Sequence, residues 1–543
     1  MPEYYIGIDL GTTNTTCSVL RRGKVDTLSV EGEPICPSVV CFQGEDDYLV
    51  GRSAKRRMMI DPEHTVVSAK RNMGRLKCRY KQYGKKYSPA QISSFILKKI
   101  KEETEKELGP INKAVITVPA YFNDDQRANT KKAAELAGFE VLRLLSEPTA
   151  AAVAYGLNQG KDQTIAVYDL GGGTFDISIL EVKENTFAVK AVGGNPQLGG
   201  DDFDRVLSDY VAEQFSKETG IDLNKEPKNA EMLAARQKLK EECRKKKEEL
   251  SESEEAPIEI PNFYKGHHLE VTVTKDTFEE LIMSYVDNTV KDMKETLDKA
   301  RLRKEDIDRV ILVGGSTHIP LVRKKVAQTI KEPYVAENVM EMVCRGAAIV
   351  AAQYMAIYEK GDEKIREVIK VSTLKELTDS LQELYPYSLG IAVTDLVPPE
   401  DAGRYLETMG EKDGMSLVHG IFSEIVALGT KTPLNRKRGG YSTVVDNATQ
   451  VKIEIYRTAK PGKERLGSCK DEGMQCLGDF LLRGIPPAPA GEPQITVTMD
   501  IDDDGILNVK AEGKMGGEGT SEPIYLWVDR ELDRLEDGEE GCL

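Results

Sequence analysis

YDLGGGTFD, Tyr168 to Asp176, sets three consecutive glycines between two aspartates. Glycines let backbone N–H groups approach an anion with no Cβ in the way, as a phosphate-holding loop requires. The Lys and Ser/Thr of a Walker loop are missing, however, so the phosphate must be held in another way. An earlier stretch repeats the device. IGIDLGTTNTTCSVL, Ile6 to Leu20, lies on AVYDLGGGTFDISIL, Ala166 to Leu180, so that Asp9 meets Asp169 and Gly11 meets Gly171. In each copy an apolar, β-prone run reaches Asp-Leu-Gly, a Gly/Thr turn follows, and a second β-prone run leads away, which predicts a hairpin where a Walker loop would enter a helix. Two such hairpins would grip one polyphosphate from both sides. Their aspartates would repel phosphate directly but can hold a hydrated Mg²⁺ that neutralises it. A tight glycine turn with no ligand is the plainer reading of one copy; two aligned copies with Asp at the same place count against it.

The chain has 543 residues, enough for two to four domains and at least one large core. With 40% hydrophobic and 30% charged residues it reads as globular, and its formal net charge of -16 excludes a general nucleic-acid or anionic-membrane binder. The start, MPEYYIGIDLG, lacks the basic and apolar regions of a signal peptide, and no run approaches a membrane span, so a cytoplasmic location is expected. Nine scattered cysteines without a C-x-x-C pair predict thiols rather than a disulfide framework.

Between the copies, KAVITVPAYF is a buried-strand pattern, and NDDQRANTKKAAELAGFEV predicts a helix opened by Asn123 or Asp124 and closed by Gly138. After the second copy come another Gly-rich turn, VGGNPQLGGDDFD, and a long polar helix within PKNAEMLAARQKLKEECRKKKEELS, whose Lys/Glu run reads as a solvated face. DRVILVGGSTHIPLVRKKVAQTI then gives strand, Gly-Gly turn and amphipathic helix, placing amide donors at a helix N-terminus. From about Tyr358 the texture becomes charged as far as the linker-like DSLQEL. QVKIEIYRT, PQITVTMDIDDDGILNVKAEG and PIYLWV then alternate at strand period, an all-β pattern in which IDDDGILNV is a hairpin turn rather than a Ca²⁺ loop.

GIDLGTTN, ITVPAYFND, EPTAAAVAYG, YDLGGGTFD, LGGDDFD and ILVGGST, in this order, make the chain resemble the seventy-kilodalton heat-shock chaperone family (DnaK-type). The resemblance implies an α/β two-lobed actin-like ATPase domain over residues 1–357, a charged insertion and interdomain linker over 358–386, an all-β peptide-binding sandwich over 387–530 and an acidic tail over 531–543. It implies ATP and Mg²⁺ as cofactors. Asp9, Gly11, Thr12, Thr13 and Asn14 would form the first phosphate loop and Gly171, Gly172, Gly173 and Thr174 the second, with Gly199 and Gly200 beside them. Asp9 and Asp169 would hold the metal. Lys70 would reach the terminal phosphate and Glu147 the attacking water, so that Lys70, Glu147, Asp169 and Thr174 form the catalytic set. Lys247 and Ser251 would contact the nucleoside, and Gly314, Gly315 and Ser316 would also bind the nucleotide. Three positions depart from the family: Arg244 stands for a glutamate, His318 for the arginine that packs on adenine, and Met340 for an aspartate. The expectation is an intact phosphate end and an altered nucleoside end.

In the second domain the resemblance implies a cleft for an extended peptide, lined by Ile391, Tyr441, Val444, Val451 and Ile453. The alternation equally allows these residues to be ordinary core. Ser380 and Gln382 are polar where the family linker is apolar, which predicts weaker docking of the linker unless Leu381 and Leu384 suffice. Only ELDRLEDGEEGCL follows the last expected strand, so no helical lid is expected and peptide exchange should be fast. The implied function is that of an ATP-dependent chaperone binding exposed apolar segments of unfolded proteins. Its partners would be a J-domain co-chaperone, met in part through Arg143, and a nucleotide-exchange factor, with neither nucleic acid nor membrane. Two other readings stay open from the residues: a poorly hydrolysing, ATP-binding scaffold and, less compatible with the β domain, a metabolite kinase.

Overall fold

A computed structural model describes residues 4–58, 60–75, 77–156, 162–183, 186–223, 225, 230–334, 338–358, 373–459, 467–514 and 540–541. They divide into two compact units, the first running to Gln382 and taking in residues 540–541, the second beginning at Glu383. Residues 359–372 of the charged insertion, the PIYLWV stretch and nearly all of the acidic tail lie outside the described residues. Among the described residues no helix is long and apolar enough to cross a membrane.

The first unit is organised by two sheets of like construction. In one, strand Ile6–Leu10 pairs antiparallel with Asn14–Arg21, Asp9 opposite Thr16, and parallel with Lys113–Val118, which leads to Glu140–Ser146. In the other, Gln163–Leu170 pairs antiparallel with Phe175–Lys183, Asp169 opposite Asp176, and parallel with Arg309–Val313. The repeat read in the sequence is thus a repeated hairpin with a parallel neighbour. Its strands are buried on both faces, as the successive residues Ile165, Ala166, Val167 and Tyr168, all fully buried, show. The helix Asp124–Leu136 begins at Asn123, whose side chain accepts from Gln126 N while Gln126 Oε1 accepts from Asn123 N, each at 3.0 Å.

Two helices rich in small residues, Glu147–Gly156 and Met342–Tyr358, meet at unusually close range. A Cβ on Gly346 would overlap the Ala150 backbone, and one on Gly7 the backbone of Ala347 and Ala348. The run of alanines and glycines therefore seats both helices against the first sheet and fixes where Glu147, at a helix start, can point.

Leu381 and Gln382 pair parallel with Phe187 and Ala188 at the edge of the second sheet, and the buried Arg143 donates from Nη2 to Leu381 O at 3.1 Å. The polarity of Ser380 and Gln382 does not prevent this docking, because main-chain pairing is indifferent to side-chain polarity and Leu381 is itself 1% exposed.

The second unit is a β-sandwich. A five-stranded sheet runs in the order Glu407–Lys412, Met415–Val426, Ser388–Val397, Gln450–Thr458 and Met474–Arg483; a three-stranded one in the order Leu434–Tyr441, Gln494–Ile501 and Leu507–Lys514. Leu389, Ile391, Ile453, Ile455, Val497 and Met499 form its core. Asp502 to Gly505 make the hairpin turn, Gly505 N donating to Asp502 O. Cys17, Cys36, Cys41, Cys243, Cys344 and Cys469 are buried thiols and Cys476 an exposed one, whereas Cys78 departs from the thiol expectation in being disulfide-bonded.

Candidate functional site

The two hairpin turns face each other across a cavity of about 540 Å³ within the first unit, a volume suited to a nucleotide-sized ligand. Its phosphate end is backbone. Gly171 N donates to Thr174 O at 3.1 Å to close the second turn, Gly200 N donates to Gly171 O at 3.0 Å, and Asp201 N donates to Gly172 O at 2.8 Å. A Cβ on Gly172 would overlap the Thr13 hydroxyl, and one on Gly199 the backbone of Gly172, so glycine here is a condition of the close approach. Thr13 Oγ1, packed against Gly172, is buried with no hydrogen-bond partner among the described residues, an orphaned donor where the two turns meet.

Asp9, Asp169 and Lys70 with Glu147 sit at the bottom of this end. Lys70 lies on a short 3₁₀ helix, Ala69–Asn72, entered through Ser68 in the left-handed region at φ 53°. Lys70 Nζ meets Glu147 Oε1 at 2.6 Å with both side chains under a tenth exposed. Ser68 Oγ donates to Asp201 Oδ2 and Arg71 Nη2 to Asp202 Oδ2, each at 2.8 Å, tying that helix to the second hairpin's side. Burial, then Glu147, pushes the Asp9 carboxyl up to about 7, against the pull of Lys70 and of Thr117, which donates to it at 2.9 Å. Burial and Glu147 likewise raise Asp169, and raise Asp176 to about 7. Four buried carboxylates thus share one buried lysine. That surplus of negative charge, together with the orphaned Thr13 hydroxyl, fits a divalent cation bound with a polyphosphate.

The other end is side chains. Helix Ala230–Glu249 sends Arg244, Lys247 and Glu248 to the cavity, followed by Ser251 and Glu252; the Gly314–Gly315 turn brings Ser316 and His318, helix Pro320–Thr329 brings Arg323, and Val339 with Met340 closes it. Gly314 sits at φ 83° with Leu170 O where a Cβ would be, so the turn passes directly over the second hairpin strand. Ser316 Oγ donates to Gly171 O at 2.9 Å. Lys247 pairs with Asp204 at 2.8 Å. Arg244 is held by Glu241 at 2.7 Å and by Glu248 at 2.5 Å.

Every phosphate-loop, catalytic and nucleoside-side residue expected from the sequence lines this cavity except Gly173 and Gly199. Sequence reading passed over Asp204, Glu248, Glu252 and Arg323. For the first two a signal existed: Asp204 closes the LGGDDFD motif, and Glu248 stands four residues from Arg244 on a helix.

The Hsp70 protein family model matches residues 5–385 and 412–536. The chain belongs to the Hsp70 family. It is 41% identical over 530 residues to the chaperone protein DnaK of Thermotoga neapolitana, covering 96% of this chain and 80% of that protein, with the same values for the DnaK proteins of Thermotoga petrophila and Thermotoga maritima. As an Hsp70 it is an ATP-dependent chaperone and an ATPase that binds nucleotide, unfolded polypeptide and co-chaperones. The mixed α/β sheets of its first unit and the β-sandwich of its second fit the ATPase and substrate-binding parts of an Hsp70.

Of the residues expected to line this Hsp70's peptide cleft, Ile391 and Ile453 lie in the sandwich core at 4% and 3% exposure. Tyr441 and Val451 are half-buried against that core, Tyr441 Oη 2.9 Å from Ser423 Oγ, and Val444 is exposed.

Proposed function

We propose that the cavity between the two hairpins is the ATP site, with the phosphates at the Gly11–Asn14 and Gly171–Thr174 turns and the nucleoside towards Lys247, Ser251 and His318. The observation that carries this reading is the buried Lys70–Glu147 pair, at 2.6 Å, set where the two turns face each other. A lysine and a carboxylate so placed can exchange partners. When Lys70 turns to the terminal phosphate it stabilises the charge of the transferring group, and Glu147, released, orients or deprotonates the attacking water. Thr174 and Thr13 donate hydroxyls to phosphate oxygens. Asp9 and Asp169 would hold Mg²⁺ through its waters, and the bound ion would neutralise the phosphates. Ligation relieves the repulsion among the buried carboxylates, so the site favours its cation and nucleotide together.

In the same reading an extended apolar peptide is bound by the sandwich, with Tyr441, Val444 and Val451 as its accessible contacts and Ile391 and Ile453 behind them. The switch between low and high peptide affinity follows the nucleotide. A J-domain co-chaperone and a nucleotide-exchange factor are the partners; Arg143, engaged with Leu381 O here, becomes available to the first when the linker leaves. The working compartment is the cytoplasm.

Single-turnover ATP hydrolysis by the full chain, with and without an apolar peptide, is the test. Wild type should hydrolyse and be stimulated by peptide, and Lys70→Ala should fall by about 10²–10³. Wild-type rates no higher than those of Lys70→Ala would overturn the catalytic assignment.

A further inference from the structure

His318 stands where the family carries an arginine, and it does not stand alone. Arg323, one turn into helix Pro320–Thr329, lines the same cavity. Its Nε donates to Thr317 O at 2.9 Å, which fixes the guanidinium plane, and its Nη2 lies 3.0 Å from His318 Nδ1. A guanidinium only donates. Nδ1 must therefore accept, which makes the imidazole neutral, puts its proton on Nε2 and fixes the ring's orientation.

The charges around His318 come from three elements. Arg323 approaches from its own helix. Arg244, Lys247 and Glu248 come from helix Ala230–Glu249, and Glu252 from the turn after it. Arg244 is spent on Glu241 and Glu248, and Lys247 on Asp204. The hydrogen-bond partners of Arg323, a carbonyl and an imidazole, are both uncharged, so its positive charge stays available at this end of the cavity.

We propose that Arg323 is a nucleotide-positioning residue: it holds His318 neutral and in one orientation for the base to pack on, and supplies beside the base the positive charge that His318 lacks. The inference rests on the cavity being the nucleotide site. It has a pH consequence. Protonated His318 would turn an N–H towards a guanidinium and break the pair, so the neutral ring is the binding form and affinity for the base falls on acidification. Burial, then Arg323, lowers the His318 pKa against the opposing pull of Glu252. The loss accordingly sets in at a lower pH than it would for an ordinary histidine.

The measurement is calorimetric binding of ADP and of pyrophosphate, both with Mg²⁺, to the full chain at pH 7.5 and 5.5, read as the ratio of the two affinities so that phosphate titration and folding cancel. Arg323→Met should lower the ADP-to-pyrophosphate ratio about three- to thirtyfold at pH 7.5. Arg323→Lys, which keeps a donor and a charge, should recover most of it. The wild-type ratio should fall between pH 7.5 and 5.5, and His318→Arg should flatten that fall. An unchanged ratio in Arg323→Met, or equal losses for ADP and pyrophosphate, would overturn the role given to Arg323. Failure of the wild type to bind ADP at all would instead overturn the reading of the cavity, and this inference with it.

Discussion

At the phosphate end of the cavity the chain presents backbone, held by glycines whose Cβ atoms have no room; at the nucleoside end it presents long side chains, each engaged by a neighbour. The two ends answer to substitution differently. A backbone cradle depends on the absence of atoms, and nothing else in the chain can supply that absence. A side-chain wall depends on charge and shape that several residues can share, so Arg244 and His318 are accommodated by re-pairing with Glu241, Glu248 and Arg323.

This contrast can be broken in stages. Glu147→Gln should produce the largest effect, a fall of about 10²–10⁴ in the single-turnover hydrolysis rate with nucleotide affinity nearly kept, since a general base or water-orienting carboxylate acts mainly in the transition state. Equal losses in rate and affinity would move Glu147 from catalysis to binding. Next comes Gly172→Ala, whose methyl meets the Thr13 hydroxyl. Overpacking costs about 1–3 kcal/mol, so ADP affinity should drop roughly five- to hundredfold in calorimetry. Lys247→Met keeps the volume but strands Asp204, which is 2% exposed, and should weaken ADP about tenfold while leaving pyrophosphate unchanged. Arg244→Ala should be the mildest, less than about threefold in ADP affinity, because its guanidinium is already committed to two glutamates. A larger loss there would mean that Arg244 leaves its partners for the nucleotide, and the sharing argument would fail.

The same contrast explains what could be read in advance. The hairpins were legible because Asp-Leu-Gly followed by a Gly/Thr turn between apolar runs leaves the backbone few options, and the repeat doubled the signal. Lys70 and Glu147 could be placed only through the resemblance, since an isolated lysine and glutamate carry no pattern. The surroundings of the nucleoside end stayed hidden. Nothing local joins Lys247 to Asp204, on a different helix, and Arg323 reaches His318 only because Pro320 starts a new helix between them. In the sandwich, the resemblance implied that Ile391 and Ile453 line the cleft, while alternation equally allowed them to be core, and in this structure both lie in the core. For the linker the sequence left two outcomes open, weaker docking or sufficiency of Leu381 and Leu384, because side-chain polarity says nothing of the main-chain pairing that joins Leu381 and Gln382 to the second sheet.

That last feature bears on how the segment can vary over generations. Main-chain pairing of Leu381 and Gln382 with Phe187 and Ala188 reads no side chain, so a position there can drift through polar and apolar residues without registering in function. Drift should stop at Leu381, whose side chain is buried, and at any residue that becomes proline, because a missing N–H leaves an unpaired carbonyl on the opposite strand. Alleles at position 382 should therefore be numerous and silent, with proline the conspicuous gap among them.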